Sequence, residues 1–100
     1  MASGKLGSAD LLATTDTLLF TAAATPQTFN VRFANRNSTA VRIRVAIGTG
    51  GAPAAADYVD YDVTLPANGI LEDIGLVASS GEKIWVRSSA ADVSVRAHGM

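Results

Sequence analysis

Asp57, Asp60 and Asp62 are the residues whose type and closeness first invite chemistry, because clustered oxygen ligands are what a hard cation such as calcium requires. Strand alternation in Val59-Asp60-Tyr61-Asp62-Val63 puts Asp60 and Asp62 on one face and leaves Asp57 in the preceding loop. The glycine-punctuated spacing of a calcium loop is also missing. The two strand carboxylates are therefore expected to pair with Arg42, Arg44 or Arg87 on neighbouring strands, and no metal ligand is assigned.

His98 is the only histidine, and Ser79, Ser80, Ser88, Ser89 and Ser94 are the available hydroxyl nucleophiles. A nucleophile needs a base that is itself held by a third group, and a histidine beside Gly99 on a terminal strand is poorly placed to be held. Gly48-Thr49-Gly50-Gly51 has the look of a phosphate cradle but lacks the lysine and following helix that give such loops their chemistry. No catalytic residue and no cofactor site is assigned.

Arg32, Arg42, Arg44, Arg87 and Arg96 all fall on the polar phase of alternating runs and would form a basic sheet face. A nucleic-acid platform would interleave stacking aromatics with those arginines, and only Trp85 alternates onto the polar side. Asp60, Asp62 or other acidic neighbours are expected to neutralise the face, so nucleic acid is not an expected partner. Trp85 lies between Ile84 and Val86 and must point away from their face. It either caps an edge of the core or contacts a partner. Protein interfaces favour tryptophan and arginine together, which makes Trp85, Tyr58, Arg42 and Arg44 the candidate partner-contact residues.

The elements that must position these side chains are short strands. Phe29-Asn30-Val31-Arg32-Phe33, Val41 to Ile47, Val59 to Leu65, Ile84 to Arg87 and Val93 to His98 each alternate with period two, as a strand with one buried face demands. Their apolar phase predicts a core of Phe29, Val31, Phe33, Val41, Ile43, Val45, Val59, Tyr61, Val63, Ile84, Val86, Val93 and Val95. Asn35 to Thr39 predicts a hairpin between its flanking strands, and Pro66-Ala67-Asn68-Gly69 is the sharpest turn signal. The alanine tracts Ala22 to Ala24 and Ala52 to Ala56 read as loops, since one turn of helix around Ala54 to Tyr58 would be too short to hold alone. The expected fold is all-β: a single antiparallel β-sandwich of seven to eight strands, jelly-roll or Ig-like, over residues 1–100, with 1–15 an N-terminal arm or edge strand.

Composition bounds the rest. A chain of 100 residues has room for one domain, which buries roughly 65% of its unfolded surface. With no cysteine there is neither a disulfide framework nor a thiolate metal site. A formal net charge of -1 gives no general attraction to nucleic acid or anionic lipid. Neither a signal-peptide pattern nor a bilayer-length apolar stretch is present, so no membrane role is expected.

Several segments taken in order resemble the small virion proteins of tailed bacteriophages: Ala13-Thr14-Thr15-Asp16-Thr17-Leu18-Leu19-Phe20-Thr21, Asn35-Arg36-Asn37, Arg44-Val45-Ala46-Ile47, Tyr58-Val59-Asp60-Tyr61-Asp62 and Val93 to Gly99. The likeness covers nearly the whole chain; Phe20 stands where that family often has tyrosine. It implies a β-sandwich decoration or cement protein with no catalytic residues. Its implied partners are the major capsid protein or other virion subunits, with self-association, a trimer fitting threefold capsid positions. The implied location is the virion, on the phage head, after synthesis in the host cytoplasm. Two other functions fit the same residues: a tail or baseplate accessory protein, and a carbohydrate-binding module with Trp85 and Tyr58 as its platform.

Overall fold

The computed structural model describes residues 4–23 and 25–99, so Ala24 of the first alanine tract lies outside the described residues. Its strands are β1 (Gly4–Leu11), β2 (Thr17–Thr21), β3 (Gln27–Asn35), β4 (Val41–Gly48), β5 (Tyr58–Leu65), β6 (Ile70–Ala78), β7 (Lys83–Ser88) and β8 (Val93–Gly99). They form two antiparallel four-stranded sheets, ordered β1-β8-β3-β6 and β2-β7-β4-β5. Eight strands in this order make a jelly roll, so the expected β-sandwich is the fold. The N-terminal segment supplies an edge strand, β1, paired along β8.

The core lies between the sheets. Phe29, Val31, Phe33, Val41, Ile43, Val45, Ile84, Val86, Val93 and Val95 are all buried there, on the apolar phase that alternation predicts. Phe20 packs edge-to-face on Phe29 at 5.1 Å, which is a favoured aromatic geometry. Where β1 passes β2 the backbones come so close that a Cβ on Gly7 would sit 2.2 Å from the Leu19 carbonyl oxygen. Only glycine permits that approach.

The connections depart from the predicted hairpin. Strands β3 and β4 belong to different sheets, so Asn35 to Thr39 is a crossover. Asn35 fastens it: its buried side-chain amide donates to the carbonyls of Thr39 at 2.9 Å, Leu65 at 3.3 Å and Pro66 at 3.0 Å, and its Oδ1 accepts from the Asn37 N–H at 2.9 Å. The turn at Pro66 to Gly69 also crosses between sheets, with Asn68 at φ 53° and its N–H on the Asn37 carbonyl at 3.0 Å. A single 3-10 turn, Ala55–Asp57, precedes β5 in the second alanine tract. Asp57 holds it by accepting the Ala54 N–H at 2.9 Å.

Two of the predicted core residues are exposed: Val59 at 50% and Tyr61 at 58%. The cause is a bulge. Ile43 faces Val63 and Val45 faces Asp60, so three residues of β5 span two of β4, and Asp62 takes φ 52° to admit the extra one. On the N-terminal side of Asp62 the faces exchange, which sends Asp60 inward, and a second register shift, where Val45 faces Asp60 and Ala46 faces Tyr58, exchanges them again before Tyr58. Strand β6 does the same: Phe29 faces Leu76 and Val31 faces Asp73, with Gly75 at φ 71°. Gly75 is thus the residue at which β6 changes face, and Ile74 beside it is 70% exposed.

Candidate functional site

The outer face of the second sheet gathers the four candidate contact residues. In β4, Arg42, Arg44 and Ala46 occupy the phase opposite the buried Ile43 and Val45. Cross-strand register then places Arg87 opposite Arg44 and Trp85 opposite Ala46 on one side, and Tyr58 opposite Ala46 on the other. Leu18 of β2 extends the row beyond Trp85. Ala46 is only 1% exposed although its phase in β4 is the outer one, and its cross-strand partners on the two sides are Trp85 and Tyr58. Trp85 is half-buried, and its indole Nε1 is enclosed with no hydrogen-bond partner.

Arg44 organises the neighbouring half of the face. Its guanidinium lies 4.0 Å from the centroid of the Tyr61 ring, and Tyr61 packs edge-to-face on Tyr58 at 5.0 Å. Its Nε donates to Asp62 at 2.7 Å and Nη2 donates to the second carboxylate oxygen at 3.3 Å. This hydrogen bonding holds the Asp62 carboxyl below the usual carboxylate range, and the same bond raises Arg44 further above neutrality. Arg87 lies 3.8 Å from Asp16, and Arg42 sits next to both arginines on the exposed face. Unbroken alternation would put Tyr61 in the core; the bulge at Asp62 makes it part of this surface instead.

The other sequence candidates are dispersed. Arg32 and Arg96 are partners on the outer face of the first sheet, so the five arginines form two faces and not one. Arg32 lies 3.8 Å from Glu72, and His98 lies 4.0 Å from the same carboxylate on its other oxygen. Asn30 Nδ2 is 3.5 Å from His98 Nε2. The glycine loop after β4 turns its Thr49 and Gly50 carbonyls toward Lys83 Nζ at 3.5 Å, the reverse of the polarity that cradles phosphate.

Asp60 does not share a face with Asp62, nor does it pair with an arginine. It faces inward at the sandwich edge where β5 and β6 end their sheets, and there it meets Asp73 of the opposite sheet. Asp60 Oδ2 and Asp73 Oδ2 are enclosed, and neither meets a nitrogen or hydroxyl donor. Desolvation, and then the hydrogen bond and charge of Asp60, push the Asp73 carboxyl up to about 7. A proton held between the two carboxyls supplies the donor both oxygens lack. Among the described residues no three His, Asp or Glu side chains converge as metal ligands would. The sequence offered one signal for this pair: a glycine inside a strand pattern, Gly75, marks a bulge that reassigns the residues before it.

No protein-family model matches the chain, and no curated protein matches it.

Proposed function

We propose that this protein is a non-enzymatic structural protein that docks on another protein through the outer face of its second sheet. On the resemblance of its motifs, it serves as a decoration or cement protein of a phage head. The observation that carries the docking reading is the convergence of Trp85, Tyr58, Tyr61, Arg42, Arg44 and Arg87 on one face. Tryptophan, tyrosine and arginine are the residues that dominate binding energy at protein interfaces. Trp85 is half-buried with its indole nitrogen enclosed, so little rotamer freedom remains to be lost on docking. A protein bound only to the assembled lattice stabilises that lattice by mass action.

The test is co-sedimentation of purified protein with assembled heads. Binding is expected, and Trp85→Ala should weaken it by at least about thirtyfold, corresponding to about 2 kcal/mol at an interface anchor. Failure of the wild-type protein to bind heads, with cryo-microscopy finding it only on tails, would remove the head assignment and keep the structural class. Its absence from virions would remove both.

A further inference from the structure

The outer face of the second sheet contains an arrangement that sheet packing disfavours. Arg44 and Arg87 are direct cross-strand partners, and like charges placed opposite one another destabilise a sheet. Arg42 joins them on the same face. Together with Thr14, Asp62 and Ser89 they line a concave pocket of about 200 Å3.

Its walls are fixed by main-chain bonds. The Thr14 N–H donates to the Ser88 carbonyl at 2.8 Å, and the Ser89 N–H donates to the Arg42 carbonyl at 2.9 Å. Thr14 is held at φ 52°, a conformation few threonines adopt. The backbone that carries Thr14 and Ser89 is therefore held in place around the pocket.

Charge and hydrogen bonding inside it are both unbalanced. Asp62 pairs with Arg44 inside the pocket, and Asp16, outside its lining, lies 3.8 Å from Arg87, so even with both carboxylates counted the three guanidiniums keep one positive charge. Arg42 has no carboxylate within ion-pair distance among the described residues. Ser89 Oγ accepts the Arg42 backbone N–H at 2.9 Å, which leaves its hydroxyl hydrogen to donate. The Arg42 guanidinium and the Ser89 hydroxyl are thus donors left over around a surplus of one positive charge.

We propose that this pocket is the receptor for a single carboxylate, an aspartate or glutamate side chain on the protein that the face docks against; this rests on the docking reading above. Arg42 and Arg87 clamp the carboxylate from two sides, since the guanidinium fork matches its two oxygens, and Ser89 donates a third bond. One negative charge completes the balance. A phosphate group carries about −1.5 to −2 near pH 7, which exceeds the single surplus positive charge beside Asp62 in the same lining.

The test uses the isolated protein and so is separable from capsid binding. Protein labelled with nitrogen-15 is titrated with sodium acetate, and separately with inorganic phosphate, at an ionic strength held constant with chloride. The arginine Nε–Hε signals are followed by NMR. Acetate should move Arg42 and Arg87 along saturating curves while Arg32, Arg36 and Arg96 stay in place. Arg42→Ala should abolish saturation with an unchanged backbone amide spectrum, and Ser89→Ala should weaken it several-fold. Equal linear drift of every arginine, saturation that survives in Arg42→Ala, or a tenfold preference for phosphate would each overturn the proposal. Loss of head binding with acetate saturation intact would instead count against the docking reading alone.

Discussion

Replacing Asp73 by asparagine should make the stability of this sandwich insensitive to pH between about 4 and 7, where the wild type loses stability. In the folded protein the Asp73 carboxyl is pushed up to about 7, from an ordinary 3.8, by burial and by Asp60. The folded state therefore keeps a proton that the unfolded chain releases. Stability is fully present below about 4, falls as pH rises through the interval, and levels off above about 7. At 1.36 kcal/mol per pH unit the dry limit of this loss is about 4 kcal/mol. The pair stands at a sheet edge with partial access to water, so screening reduces the loss to about 1–2 kcal/mol. The amide introduced by Asp73→Asn would occupy the same volume as the carboxyl and donate an N–H to Asp60 at every pH. Urea denaturation at several pH values from 4 to 8 measures both proteins, with Trp85 fluorescence as the probe and the m-value checked for constancy. The wild type should fall across the range, and Asp73→Asn should stay level and exceed it at pH 8. A wild-type stability that is flat or rising from pH 5 to 8, with the variant indistinguishable from it, would refute the shared proton. The Asp62–Arg44 pair does not confuse the result: Asp62 is held low, so its contribution is present above about 4 and lost only as pH falls below that.

Other expectations follow from the core, the crossover and the surface charge. Phe33→Ala and Ile43→Ala, both at fully buried positions, should each cost roughly 2–5 kcal/mol in chemical denaturation; less than about 1 kcal/mol for both would mean the strand phase is misread. Asn35→Ala strips the amide from the Leu65 and Pro66 carbonyls and should cost about 2–4 kcal/mol by the same measurement. The charge of the second sheet's outer face is mostly matched by Asp62 and Asp16, so gel-shift assays at physiological salt should show no generic DNA binding tighter than about micromolar.

Residue order alone was enough to specify the strands, the sandwich class and the outward phase of Trp85, Arg42, Arg44 and Arg87. It was also enough for most of the core, because in β3, β4, β7 and β8 an unbroken alternation assigns every side chain to one of two faces. In β5 and β6 the alternation is interrupted at Asp62 and Gly75, and each added residue exchanges the faces as far as the next shift in register, which in β5 comes between Asp60 and Tyr58. That is why Val59 and Tyr61 look apolar and inward yet lie outside, and why Asp60 looks paired on the surface yet turns in to meet Asp73. Strand partnership was likewise settled by tertiary packing. The residues from Asn35 to Thr39 suit a hairpin and a crossover equally, and the choice was made by Asn35 reaching carbonyls 30 and 31 residues away. Alternation records which side of a strand is dry; it carries no record of which strand lies alongside, since that depends on the register and closure of both sheets together.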